Sequence, residues 1–163
     1  LILSEANIYY KMGDTEKFKD LLEIATEKDP KNPELQYNLG VISAESDHPQ
    51  EAMAYYKKAI ELDPGYVNAY INSAALVLGK EEGLIKEMNG LGTSNADNKR
   101  YEQLREERQN LYKEAIPFLT KALEINPKST SAATTLMNIY SVLGETDKYK
   151  AMKAKIEEMR GAE

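Results

Sequence analysis

One short pattern recurs along the chain and limits the possible folds more than any other feature. It places Ala five residues before Pro, with Glu and then Asp or Asn between them, at residues 25–30, 59–64 and 122–127. The first two prolines are 34 residues apart, and the second two are 63 apart, which is 34 plus 29. A period of about 20–50 residues is typical of folds built from stacked repeats. We therefore predict a repeat array with one insertion of 29 residues.

Other positions locate the insertion. Ser43 and Val77 are 34 residues apart, whereas Val77 and Tyr140 are 63 apart, and Ala52 and Ala115 are also 63 apart. The additional residues must then lie between Val77 and Ala115. They fall inside the third repeat, between its first and second helices.

The second repeat indicates how each unit folds. Its apolar residues have the spacing of two amphipathic helices, which are separated by a break at residues 46–49. Pro49 suits the first turn of the second helix, where its missing N–H is not needed, and Pro64 ends that helix. Small residues such as Gly40 and Ala59 allow the two helices to approach closely. The apolar positions are Leu35, Leu39, Ile42, Ala52, Tyr55, Tyr56, Ala59, Ile60 and Leu62.

The same positions carry a family resemblance. Leu39-Gly40, Ala52, Tyr56, Ala59 and Pro64 resemble the signature of the tetratricopeptide repeat. The resemblance implies an all-α fold, a right-handed superhelix of about three and a half helical hairpins with an elongated third hairpin. We assign a partial first repeat to residues 1–31, a second to 32–65, a third to 66–128 with its insertion at about 80–109, and a last repeat with a C-terminal capping helix to 129–163.

The inserted segment is expected to lengthen the third hairpin. Gly, Asn, Ser and Asp cluster at residues 89–98, so this stretch is predicted to be a turn between helical flanks. Both helices of the hairpin would then be extended and would project roughly 15–20 Å. The hairpin is either a structural decoration or a docking surface. The residues predicted to form its apolar seam are Leu84, Ile85, Met88, Leu91, Tyr101, Leu104 and Leu111.

Resemblance and composition also bear on location. Tetratricopeptide proteins of Bacteroidetes are similar through the inserted stretch, which implies an envelope-associated protein, periplasmic or secreted; a cytoplasmic location is the alternative. The chain begins without Met and part-way through a repeat, so we expect it to belong to a longer protein. No run of residues approaches the roughly 20 apolar positions that a membrane-spanning helix needs, so direct membrane insertion is not expected. The oligomeric state stays open.

Charge and composition narrow the class of partner. The net charge of -6 and the pI of about 5.0 disfavour nucleic acid, because nucleic-acid-binding proteins carry basic surfaces. The sequence contains no cysteine, which excludes disulfides, thiolate metal sites and cysteine nucleophiles.

The motifs that most often carry chemistry have structural explanations here. His48, the single histidine, has no His or Cys partner at metal-ligand spacing, so we expect it to start a helix. The stretch Gly90-Leu91-Gly92 lacks the surrounding motif of a phosphate-binding loop and is predicted to be the hairpin tip. The acidic pairs at residues 81–82 and 106–107 are predicted to lie on solvated helix faces. We therefore predict no catalytic residue, no metal site, no cofactor and no enzymatic activity.

The resemblance also implies where a partner binds. In this family the first helix of each hairpin lines a groove, and the residues here are mostly amides, hydroxyls and apolar groups. Lys11 is their single cation, so a basic clamp for a carboxylate is not expected. Asparagine has both a donor and an acceptor, so it can pair with a peptide group; the alternative is that these asparagines merely solvate the groove. The groove residues are Asn7, Tyr10, Lys11, Tyr37, Asn38, Val41, Asn68, Ile71, Asn72, Thr135 and Asn138.

Two functions follow from these observations. The first is a non-enzymatic scaffold or assembly module that binds another protein or a peptide segment in the groove. The alternative is an accessory or regulatory region of a larger enzyme or envelope complex.

Overall fold

The computed structural model describes residues 2–161, except for the side chains of residues 2, 3 and 7. Every regular element within this range is a helix, which confirms the predicted all-α class. Internal contacts group the chain into two compact units, residues 1–69 and 70–163, and each unit is described by itself. The helices are α1 (Ile2–Met12), α2 (Thr15–Lys28), α3 (Pro33–Glu45), α4 (Pro49–Leu62), α5 (Val67–Leu78), α6 (Glu81–Gly90), α7 (Asn95–Ile125), α8 (Thr130–Leu143) and α9 (Thr146–Gly161).

Local sequence signals mark the helix ends. The three recurring prolines each lie two residues beyond the end of a helix, because proline cannot continue the hydrogen-bond pattern. Pro33 and Pro49 instead stand in the first turns of α3 and α4, where a missing N–H costs nothing. The Asn32 side chain caps α3 by accepting a hydrogen bond from the backbone N–H of Glu34 at 3.1 Å. His48 occupies the corresponding position before α4, but its side chain forms no capping hydrogen bond.

The first unit is held together by a contact between small and large side chains. Gly40 of α3 lies against Tyr56 of α4, and a Cβ atom at Gly40 would come within 2.5 Å of the Tyr56 ring atom Cε1. Ala52 and Ala59 on α4 are fully buried, as the close approach of the two helices requires. A neighbouring cluster of buried side chains joins α1, α2 and α3, and it contains Ala6, Phe18, Leu22, Ala25, Leu35, Leu39 and Ile42.

The second unit packs α7 against α8 and α8 against α9. Ala115 and Ala122 of α7 are fully buried, as the repeat alignment predicts. Helix α9 buries Ile156 and no other described residue. The remaining side chains of α9 are polar or partly exposed, which is typical of a helix that has a neighbour on one side.

The inserted region differs from the expectation in its first half. Helix α5 ends at Leu78 and α6 begins at Glu81, so the predicted extension of the first helix is wrong. Gly79, a weak helix former, interrupts the helix, and Glu81 and Glu82 start a new one with acidic side chains that suit a helix N-terminus. Helix α7 runs without interruption for 31 residues. The repeat boundaries and the length of the insertion stay predictions.

The turn between α6 and α7 is also shorter than predicted. Residues 91–94 connect the two helices, and the rest of the stretch 89–98 is helical. Ser94 and Asp97 form a reciprocal capping box, in which each side chain accepts a hydrogen bond from the other residue's backbone N–H, so α7 starts early. Leu104 is fully buried, but Tyr101 is 44% exposed, so Tyr101 does not belong to the predicted seam. Among the helices of residues 2–161, none has the length and apolar character that spanning a membrane requires.

Candidate functional site

The predicted groove residues of α1 lie at the surface of the first unit. Tyr10 is exposed, and its hydroxyl donates a hydrogen bond to Glu45 Oε1 of α3 at 3.3 Å. The Tyr10 ring also contacts Phe18 of α2, with 5.0 Å between the ring centroids. Lys11 is exposed. The side chain of Asn7 lies outside the described residues.

Tyr37 of α3 belongs to a group of three tyrosines in the first unit. Its ring centroid lies 5.8 Å from that of Tyr56 and 5.1 Å from that of Tyr66. Such tilted aromatic pairs favour a fixed ring orientation. Burial, together with the negative charge of Glu34, raises the pKa of Tyr66. Tyr66 follows the turn after Pro64 and was not among the predicted groove residues, because it precedes the first helix of its repeat.

The other predicted residues of the first unit differ in exposure. Asn38 and Val41 are half-buried on α3, one and four residues after Tyr37. Asn68, near the start of α5, is exposed. On α3 the first unit therefore presents one tyrosine ring, an amide and an aliphatic side chain, with no cation among these three residues.

In the second unit the structure brings together two of the predicted residues. Thr135 and Asn138 of α8 both line a cavity of about 190 Å³. Ile71 and Asn72 of α5 are half-buried and do not line it. The described residues that line it are Leu78, Glu81, Tyr112, Thr135, Asn138, Ile139 and Val142.

Glu81 is the residue that sequence reasoning placed wrongly. The sequence predicts a solvated helix face, but only 23% of the Glu81 side chain is exposed. Arg108 of α7 donates a hydrogen bond from Nε to Glu81 Oε1 at 2.8 Å, and its second nitrogen lies 2.6 Å from the same oxygen. The Tyr112 hydroxyl donates to this oxygen as well. Glu82, Glu106 and Glu107 are exposed as expected.

This arrangement shifts the proton affinity of both donors. Burial, the hydrogen bond to Glu81 and the Glu81 charge raise the pKa of Tyr112 to about 12. Burial alone would lower the pKa of Arg108, but the hydrogen bond and charge of Glu81 outweigh it, so the pKa of Arg108 is raised. Glu81, Arg108 and Tyr112 thus form a fixed pair of charges with a protonated phenol at neutral pH.

A second cavity, of about 360 Å³, adjoins the first. It is lined by Leu78, Gly79, Glu81, Glu82 and Ile85, so the two cavities share Leu78 and Glu81. Within the described residues, no group of three or more candidate ligands is placed to hold a metal ion. The charged side chains that line the two cavities are both carboxylates.

Comparison with known proteins identifies the class of fold. Two family models described as tetratricopeptide repeat match residues 3–67 and 107–129. The crystal structure of MamA protein is similar with a TM-score of 0.69 and 18% identity, over 98% of this chain and 72% of that one. A thermophilic tetratricopeptide repeat protein of Thermus thermophilus has a TM-score of 0.65 and 18% identity, over 97% and 72%. The chain is a tetratricopeptide repeat protein.

Two further relatives carry functional descriptions of their own. The first tetratricopeptide repeat domain of Spaghetti (RPAP3), solved bound to the HSP90 peptide SRMEEVD, has a TM-score of 0.61 and 20% identity over 88% of this chain and 90% of that one. The human protein O-mannosyl-transferase TMTC3 is 33% identical over 85 residues, or 52% of this chain. The chain spans 9% of the length of that relative.

Proposed function

We propose that the chain is a protein-binding module that holds an extended segment of another protein on the first-helix face of its repeats. The observation that carries the proposal is the likeness in fold to a domain solved with a bound peptide. Repeats of this family are generally interaction modules rather than catalysts. The proposal is made for each unit separately, on α3 in the first unit and on α8 in the second.

The side chains of these faces favour uncharged recognition. Asn38 on α3 and Asn138 on α8 each have an amide that can donate to a peptide C=O and accept from a peptide N–H. Tyr37 and Val41 flank Asn38 with half-buried apolar surface that a partner's side chain can cover. With Lys11 the single cation among the predicted groove residues, a partner as acidic as SRMEEVD is disfavoured.

The test first captures a partner by affinity purification with the intact protein as bait, and then measures its binding to chains with single substitutions. Asn38→Ala and Asn138→Ala should each weaken binding by about 1–3 kcal/mol if the amide pairs with a buried peptide group. Asn110→Ala is the matched control, because Asn110 is an exposed asparagine on α7, outside both first-helix faces. Titration calorimetry measures all three affinities, and circular dichroism checks that helix content is unchanged. Equal affinity in both variants and the control would move the binding site away from these faces.

The uncharged groove residues of α3 give a second readout of the proposal for the first unit. Affinity for a segment bound on α3 should change little when ionic strength rises from about 0.05 to 0.5 M, because screening acts mainly on charge pairs. A steep loss of affinity with salt would indicate a charge-steered site instead.

A second candidate function is an accessory region of a larger enzyme. Two relatives favour it, the human O-mannosyl-transferase and an O-GlcNAc transferase of Thermobaculum terrenum, of which the chain covers 9% and 21%. In that case the partner segment would belong to the same polypeptide or to its substrate. Expressing the full gene product with and without residues 1–163 tests this, since an accessory role requires the activity or its specificity to change. The compartment stays a prediction.

A further inference from the structure

The smaller cavity of the second unit has the size of a binding pocket for one side chain. Its volume is about 190 Å³, whereas pockets for drug-sized ligands span about 300–1,000 Å³ and a cavity of about 150 Å³ admits a molecule such as benzene. Leu78, Ile139 and Val142 supply apolar walls, and Val142 is half exposed at 51%. The pocket is therefore suited to a single amino-acid side chain that enters from a partner.

The polar atoms of this pocket have more free acceptors than free donors. The Tyr112 hydroxyl proton is used on Glu81 Oε1, and Thr135 donates its hydroxyl proton to the Ser131 carbonyl at 3.0 Å. The Arg108 contacts also converge on Glu81 Oε1, so Oε2 accepts no hydrogen bond from any described residue. The Tyr112 and Thr135 oxygens keep lone pairs, and Asn138 adds an amide carbonyl. A ligand group that donates several hydrogen bonds and accepts none matches this set.

The charge around the pocket favours the same kind of group. Glu81 and Glu82 are the charged residues that line the two cavities, and Arg108 lines neither. Glu82 is exposed and has no ion-pair partner within the described residues. An entering carboxylate would meet like charge, whereas an entering cation would complete a cluster that otherwise has an excess of negative charge.

We propose that this pocket, formed by residues of α5 to α8, accepts the basic side chain of a lysine or arginine in a partner protein. The methylene stem of the side chain would lie along Leu78 and Ile139, as long basic side chains do on apolar surface. The cationic head would donate to Glu81 Oε2 and to the oxygens of Thr135 and Asn138. The inference rests on the proposed function, because it names the chemistry of one partner residue.

The test uses small analogues of side chains on the intact chain, so that no partner is needed. The probes are n-butylammonium and n-butylguanidinium, with pentanoate and 1-butanol as the anionic and neutral controls of similar length. NMR of isotope-labelled isoleucine and valine methyl groups follows Ile139 and Val142. Both cations should shift these signals in a saturable titration, with affinity at least about tenfold above that of either control. Equal binding of pentanoate or 1-butanol, or no saturable shift with the cations, would overturn the proposal.

Two variants test whether the cation binds in this pocket. Glu81→Gln should weaken n-butylammonium binding by about tenfold, while Glu106→Gln, which removes an exposed carboxylate of α7, should leave it within about twofold. Because Glu81 also holds Arg108, Thr135→Val is the second variant: it preserves shape, removes one acceptor and should weaken binding about threefold or more. Unchanged affinity in a folded Thr135→Val chain would contradict the assigned pocket. The two proposals can fail separately. If the cations do not bind but Asn38→Ala weakens binding of the partner, only this inference fails; if the cations bind but Asn38→Ala and Asn138→Ala leave the partner's affinity unchanged, only the proposed function fails.

Discussion

Two helix pairs of this protein are joined by different interactions. In the first unit, α3 and α4 meet through Gly40 and the buried ring of Tyr56, with fully buried alanines on α4. In the second unit, α6 has no buried residue, and ion pairs connect it to α7. Arg100 contacts Glu87 at 2.7 Å, and Arg108 contacts Glu81 at 2.6 Å.

The difference shows which interactions stabilise the repeat and which stabilise the inserted region. Close packing of small and large side chains gains apolar burial and dispersion, and neither depends on salt or neutral pH. Ion pairs near the surface contribute little each and are screened. The α3–α4 pair should therefore govern global stability, whereas the α6–α7 pair should respond to charge, salt and pH.

Tyr56→Ala should cause the largest loss of stability. Tyr56 is 2% exposed, and truncating a buried aromatic side chain costs about 3–5 kcal/mol through lost burial and the cavity that remains. Tyr101→Ala is the matched control in α7, because the Tyr101 ring is 44% exposed, and it should change stability by less than about 0.5 kcal/mol. Urea denaturation followed by circular dichroism measures both. Similar losses in the two variants would contradict the contrast.

Gly40→Ala should cause the second-largest loss of stability in the parent chain. Its effect on stability should have the opposite sign in a Tyr56→Ala chain. A Cβ at residue 40 would lie 2.5 Å and 2.6 Å from two Tyr56 ring atoms, so the ring must move, at a cost of about 1–3 kcal/mol. In a Tyr56→Ala chain the ring contacts are absent, and only the Ala52 carbonyl oxygen, 3.3 Å from the added Cβ, must move by a few tenths of an ångström. Alanine should then stabilise α3 by up to about 1 kcal/mol because it is a better helix former than glycine.

The double-mutant cycle of Gly40→Ala and Tyr56→Ala measures that coupling. The same sign of the Gly40→Ala effect in both backgrounds would show that the two helices do not depend on this contact.

The repeat contact could be predicted from the sequence, but the charge cluster could not. Ala59 recurs as Ala25 and Ala122, and small and large residues stand at the repeat positions of Gly40 and Tyr56, because the two helices of every repeat must pack closely. Glu81 lies where the period is interrupted, so no equivalent position in another repeat indicated its neighbours. A different signal was present: Glu87 and Arg100 stand 7 and 6 residues from Ser94, and Glu81 and Arg108 stand 13 and 14 residues from it. Opposite charges at nearly equal distances from a turn predict pairs across a hairpin.

The candidate site was predicted in part for a similar reason. Thr135 and Asn138 follow from the helix register of a regular repeat, and the structure places both in one cavity. The wall opposite them comes from Glu81 and Tyr112, whose positions depend on the break at Gly79. A glycine between two helical segments shows that an interruption is tolerated, but it does not determine the direction of the second helix.

Glu81→Gln should have a moderate effect that depends on pH. Losing the charged acceptor of Arg108 and Tyr112 should cost about 1–2 kcal/mol at neutral pH. It should also lower the pKa of Tyr112 from about 12 toward the ordinary 10.0, though not fully, because burial remains. NMR of ring-labelled tyrosine follows this titration, with Glu106→Gln as the control. An unchanged Tyr112 pKa would show that Glu81 does not act on the phenol.

The raised pKa of Tyr112 also determines how the stability of the folded chain changes at alkaline pH. Folded Tyr112 keeps its proton up to about pH 12, whereas the unfolded chain loses it near pH 10.0. The stabilisation is therefore complete below pH 10 and declines as the pH rises from about 10 to about 12. This decline should be shallower in Glu81→Gln than in the parent chain, as measured by urea denaturation at a series of pH values. A parallel decline in both would contradict the role of Glu81.

Arg100→Gln should have the smallest effect. Arg100 binds both carboxylate oxygens of Glu87, at 2.7 Å and 3.1 Å, and also reaches Glu107 at 3.1 Å, but about half of each acidic side chain is exposed. The bidentate geometry favours the pair, whereas water and salt screen it. The variant should therefore be slightly less stable than the parent at low ionic strength and equal to it in about 1 M NaCl.

The hydrogen bond from Arg100 also lowers the pKa of Glu87 below 4.5, so the pair's contribution to stability should be present above that pH and disappear as acid protonates Glu87. Thermal unfolding of parent and variant at two salt concentrations and two pH values measures the difference, with Tyr56→Ala as the reference whose cost salt should leave unchanged. If the Arg100→Gln effect persisted at high salt, the α6–α7 pair would depend on packing around Arg100 rather than on its charge.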